Sequence, residues 1–167
     1  MTQDHEPSED VTVARLAKFR AVGFFPADYA KIESGKVYAS GAFWSTLQLP
    51  AFPATLPTVY LVAVIEIPFH ENQTDHQIEM GMLDFDRQPT GLKVEAVFRS
   101  APTIHARFGQ AGTLPVAVPI NGLVFSRTGE YTFTLSVDGK QLESYPFTVI
   151  QVPVKAMLQG AINPIEE

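Results

Sequence analysis

The nearest this sequence comes to a metal-ligand set is His70, His76 and Glu79. Two imidazoles and a carboxylate could hold a divalent cation, provided that all three converge: an open catalytic zinc site uses about three protein ligands and a closed one about four. Their spacing argues against it. Five residues separate the two histidines, and no second histidine motif follows; His5 and His105 stand alone. The expectation is no metal and no cofactor, with His70 and His76 as solvated loop residues; a metal-dependent enzyme would have to use His70, His76 and Glu79. Asp84 and Asp86 share a strand face by parity, and paired carboxylates do acid–base work in glycosidases. They fall in the turn sequence DFDRQPTG, where carboxylates are solvated, and the segment lacks the spaced oxygens and terminal Glu of a calcium loop. There is no Gly-x-Ser-x-Gly elbow and no phosphate-binding glycine loop. The absence of cysteine removes disulfides, thiolate metal sites and Cys nucleophiles. No catalytic signature remains, so a non-enzymatic protein is expected.

Aromatic side chains offer another chemistry. Tyr38, Trp44 and Phe52 could line a pocket for a small apolar molecule or a carbohydrate, because aromatic faces supply much of the contact area in such sites. The plainer role of Trp44, the single tryptophan, is core packing beneath Pro50 and Phe52.

The elements that must position these residues read as strands. The clearest is Gly129 to Val149. Tyr131, Phe133, Leu135 and Val137 alternate with Thr132, Thr134 and Ser136, which puts the large side chains on one face. Asp138-Gly139 follows, a pair that tolerates positive φ at both positions of a type I′ turn. Leu142 is out of step with Phe147 and Val149, and Pro146 cannot donate to a ladder, so a bulge or an edge is expected near Ser144 to Pro146. One hairpin cannot bury its apolar face alone; a second layer must cover it.

Further strands are expected over Lys18 to Phe24, Lys36 to Thr46, Thr58 to Pro68, His76 to Phe85 and Lys93 to Arg99, with Thr113 to Phe125 broken by Pro115 and Pro119. Glu33-Ser34-Gly35-Lys36 is a turn. LPAFPATLP, with three prolines in nine residues, is an extended linker crossing between sheets. Val59 to Ile67 is apolar on both faces, so its outer face needs a cover from this chain or from a second subunit. Thirteen prolines and eleven glycines mark many turns. The expected fold is all-β: a two-sheet antiparallel β-sandwich, immunoglobulin-like, over residues 11–152. It is flanked by a disordered acidic tail, 1–10, and a C-terminal extension, 153–167, with one short helix from Pro153 to Ile162.

The net charge of −6 is that of the termini, since Asp4, Glu6, Glu9, Asp10, Glu166 and Glu167 account for all of it. A neutral body has no general attraction for phosphate backbones, so no nucleic-acid partner is expected. The longest apolar run is less than half the roughly 20 residues of a membrane helix, and the N-terminus has no apolar signal region. A cytoplasmic protein is expected, whose partner is another protein or itself.

The order of motifs carries a resemblance. ADYAKIESGKVYASGAFWSTL, then FPATLPTVYLVAVIEIPFHENQTDHQIEMGMLDFD, then the GEYTFTLSVDG hairpin ending in PFTV, resembles the DUF6941 family of uncharacterised bacterial proteins over Phe19 to Val152. The resemblance rests on turn glycines, strand alternation and the FPATLP segment. It implies a β-sandwich and carries no catalytic residue across.

Overall fold

The computed structural model describes residues 18–101 and 109–154. Nine strands run through them: β1 Arg20–Glu33, β2 Lys36–Ala42, β3 Thr46–Leu49, β4 Ala54–Ile67, β5 Asp75–Leu83, β6 Pro89–Arg99, β7 Gly112–Phe125, β8 Gly129–Val137 and β9 Lys140–Gln151. A turn of 3-10 helix, Phe69–Glu71, leads from β4 to β5. No helix among the described residues is long and apolar enough to cross a membrane. The strands form two sheets, ordered β2-β1-β4-β7 and β3-β9-β8-β5-β6.

Alternation builds the core between them. Leu61, Ala63, Ile65 and Ile67 of β4 meet Ile78, Met80 and Met82 of β5 and Tyr131, Phe133 and Leu135 of β8, all buried. Phe133 and Phe147 stack with ring centres 4.7 Å apart, and Phe125 sets its edge against Tyr131 at 5.1 Å. Tyr131, at the start of β8, donates its hydroxyl to the Arg127 carbonyl at 3.0 Å. The all-β, two-sheet expectation is met.

Several details depart from the sequence reading. The pairing is not antiparallel throughout, because β3 runs parallel to β9 with Thr46 opposite Thr148. The linker does carry the chain from β3 in one sheet to β4 in the other, but its last residues, Ala54 to Pro57, already belong to β4. They are tolerated there because β1 pairs only with Tyr60 to Glu66, which leaves one side of β4 open at Pro57. Strand β7 continues through Pro115 and Pro119, which an edge strand accommodates because one set of its N–H groups has no partner strand. The β8–β9 turn has φ of 50° at Asp138 and 74° at Gly139, as type I′ requires. The extra residue in β9 is Leu142, between Gln141 and Glu143, and Pro146 stays in register opposite Thr132. The acidic tail, His105 and all but the first residues of the expected C-terminal helix lie outside the described residues.

The largest departure is at the start of the fold. β1 runs six residues beyond Ala27, the last of its residues to pair with β4, and turns back at Ser34-Gly35 as β2. Both turn residues have positive φ, 51° and 72°. In the sheet order two strands separate β2 from β7, about 14 Å at the usual spacing of some 4.8 Å per strand. Yet Cα atoms of β2 lie within 8 Å of β7. The β1–β2 hairpin therefore leaves the sheet plane and crosses the outer face of β4. There Ala30 and Val37 join Phe25, Ala27, Tyr60, Ala117 and a fully buried Val62 in a second apolar cluster. The doubly apolar strand is covered by its own chain.

Candidate functional site

His76 is the one buried polar or charged residue among those described, 4% exposed. Alternation along β5 turns it inward with Ile78 and Met80, at the end of the sandwich, where Phe19 meets it edge-on at 4.7 Å and Phe98 lies at 5.5 Å. Its Nδ1 is 2.8 Å from Asp138 Oδ2, and its Nε2 is 3.0 Å from the Glu71 carbonyl oxygen. A carbonyl only accepts, and so does an ionised carboxylate, so both ring nitrogens must carry hydrogen for both bonds to exist. The geometry is that of an imidazolium. Burial alone would pull the His76 pKa down, but the bonds to Asp138 and Glu71, with their charges, raise it above 6.5. For Asp138, burial acts upward, but the Gln77 N–H and His76 hold its carboxyl below the ordinary value. The Asp138 N–H in turn donates to the Gln77 carbonyl, so the β8–β9 turn is tied to β5 through backbone and side chain together.

A cavity of about 580 Å³ opens beside this pair, lined by Lys18, Phe19, His70, Glu71, Asp138 and Lys140 among others. His70 reaches only Glu71, at 3.4 Å. Glu79 lies on the other face of β5 from His76, 3.2 Å from Lys93, so His70, His76 and Glu79 do not come together. His76 is thus not the solvated loop histidine expected, because inward alternation on β5 places it in the core. Among the described residues no group of three or more His, Asp or Glu side chains could hold a metal ion. Asp84 accepts the N–H groups of Asp86 and Gln88 and shapes its own turn.

The aromatic trio also separates. Trp44 and Phe52 are half-buried against the main core, and Trp44 sets its edge on Phe147 at 5.3 Å. Tyr38 is 47% exposed on the β1–β2 hairpin, with Lys31 Nζ 5.3 Å from its ring centre. The three line no common pocket among the described cavities.

The surface that sequence reasoning missed is that hairpin. Of the eight large hydrophobic residues exposed in the described part of the chain, Tyr29, Ile32, Tyr38 and Phe43 fall between residues 29 and 43. Phe43, 63% exposed, stacks on Phe25 at 4.0 Å with φ of 62°. Tyr29 leans edge-on against Tyr60 at 5.3 Å. The signal was present: Ser34-Gly35 sits between DYAKIE and KVYASG, two alternating runs, which together spell a hairpin.

The fold and these side chains define a class: a two-sheet all-β domain with several of its ionisable groups in ion pairs, and with half of the exposed large hydrophobic residues among those described on or beside one hairpin. Residues 23–150 match the family of unknown function DUF6941, and the chain belongs to that family. No curated protein matches it.

Proposed function

We propose that this protein is a non-enzymatic, immunoglobulin-like β-sandwich module of the cytoplasm that binds another protein, or another copy of itself, through the β1–β2 hairpin. The observation that carries the reading is the concentration of Tyr29, Ile32, Tyr38 and Phe43 on that one element. Aromatic residues are enriched in protein interfaces, and grouped exposed apolar side chains mark interaction sites where scattered ones do not. Support for a non-enzymatic role comes from the occupied ionisable groups: both nitrogens of His76, Asp75 with Arg99, and Glu79 and Glu95 with Lys93.

Support for the immunoglobulin-like reading comes from the strand order. The four strands β9, β8, β5 and β6 sit as G, F, C and C′ do in a variable domain, with β4 and β7 opposite as B and E. The Tyr131 hydroxyl bound back to Arg127 has the form of that fold's tyrosine corner. A cysteine-free chain suits a reducing compartment.

The test is capture from an extract of the source cells at near-physiological salt. The wild type should retain a stoichiometric partner or itself. Replacing Tyr29, Tyr38 and Phe43 by serine should abolish that capture while the protein still unfolds in one cooperative transition, at a temperature lowered by the lost contacts of Phe43 with Phe25 and of Tyr29 with Tyr60. Retention of the same partner by the triple variant would falsify the assignment to the hairpin.

A further inference from the structure

We propose that β2 pairs with β2 of a second copy, antiparallel about a two-fold axis at Ala39, joining the two hairpins into one continuous ribbon. The inference rests on the reading of the hairpin as the interaction element. An open sheet edge is a template for another strand, and proteins blunt such edges with proline, charge, bulges or brevity. Three of the four edges here are blunted. β7 carries Pro115 and Pro119. β3 has four residues. β6 begins at Pro89 and carries Lys93, Glu95 and Arg99. β2, Lys36–Ala42, has no proline, its only charge is at its first residue, and its one irregularity is Gly41, at φ 60° near the C-terminal end; the other six residues are paired in register with β1 on one side alone.

A second copy fits this edge better than a charged partner strand would. Ala39 is the midpoint of Lys36–Ala42, so the two-fold places Ala39 against itself, Tyr38 against Ser40 of the second copy, and Lys36 against Ala42 of the second copy. No like charges stand opposite one another, a pairing that would be destabilising in a ladder. Tyr29 and Lys31 of β1 oppose Ser40 and Tyr38 of β2, so all four residues share a face, and that face becomes continuous across the axis. Stable interfaces bury about 1,200–2,000 Å² in total, more than a seven-residue edge covers, so the aromatic side chains must contribute and association depends on concentration.

Because the chain has no cysteine, Ala39→Cys introduces a single thiol. Mild oxidation should convert this variant to a disulfide-linked dimer, whereas Val97→Cys, on the β6 edge and 71% exposed, should remain monomeric. Light scattering across a dilution series should show the wild type dimerising. Ala39→Lys sets two ammonium groups against each other and should be monomeric throughout, with unchanged thermal unfolding. Three results overturn the pairing: a wild type monomeric at every concentration, a dimer that Ala39→Lys fails to dissociate, or crosslinking of Ala39→Cys no faster than of Val97→Cys. A monomeric wild type whose serine triple variant still loses a bound protein removes the self-pairing and leaves the wider reading of the hairpin in place.

Discussion

His76 shows how one side chain acquires a charge that its burial opposes. The ring faces Asp138 from the β8–β9 turn, and Glu71 from the 3-10 turn offers both its carbonyl and, at 3.6 Å, a carboxylate oxygen. Asp75 is the adjacent charge on β5, paired with Arg99, and the Lys140 charge also holds the Asp138 carboxyl down. A histidine whose pKa rises on folding contributes stability below its unfolded value of 6.5 and loses it as pH climbs through the raised value. Asp138, lowered on folding, contributes above 3.8 and loses its part as pH falls through the lowered value. The pair should therefore stabilise most between these limits. Asp138→Asn should move the His76 titration, followed by NMR of the ring protons, to lower pH, because burial is then less opposed. It should also narrow the gap in unfolding temperature from wild type as pH rises above neutrality; an unmoved titration would sink the imidazolium assignment. None of this was legible in the sequence, since the partner that sets the charge lies 62 residues away.

At the scale of elements, what the sequence disclosed was local and what it hid was relational. Asp138-Gly139 announced its turn because backbone φ is a property of the residues themselves. Of the bulge or edge expected near Ser144 to Pro146, the bulge falls at Leu142 and the edge at Pro146, where a proline costs the ladder nothing because β3 reaches only Thr148 to Gln151 of β9. The same reason let β7 run through two prolines. Gly41 is the sharper case. Its φ is +60°, and a Cβ there would lie 2.0 Å from Asp28 Oδ2 across the hairpin. Gly41→Ala should cost about 1–3 kcal/mol from backbone strain together with displacement of Asp28. Denaturant unfolding would measure it, and a cost within experimental error would mean that the hairpin is not held as described.

For the whole molecule, the two-sheet architecture was readable because alternating apolar residues demand a facing layer. The fate of β4's outer face was not, because alternation reports that a face is apolar without saying what lies on it. The candidate interaction surface was hidden for the same reason: Tyr29, Tyr38 and Phe43 look like core residues until their strands are seen to leave the sheet. Phe133, fully buried among Trp44, Phe147 and the β4 side chains, tests the shared core. Phe133→Ala should destabilise the domain by about 3–5 kcal/mol, since the vacated volume is lined from both sheets and cannot collapse freely. A loss below 1 kcal/mol in chemical denaturation, with phenylalanine rings still dispersed by NMR, would contradict a single shared core.

The hairpin that crosses β4 precedes it in the chain, and synthesis is vectorial. A hairpin closes in about 1–10 μs, while a ribosome adds about 5–20 residues each second. Ala30 and Val37 are thus already in the chain when Val62 is polymerised, and the hairpin can close on the most apolar strand as soon as that strand emerges to support it. Its other side has no such provision: Tyr131, Phe133 and Leu135 are translated some seconds later at those rates. In the interval between β4 and β8 the flank of β4 left without its cover is the one that ends up in the core.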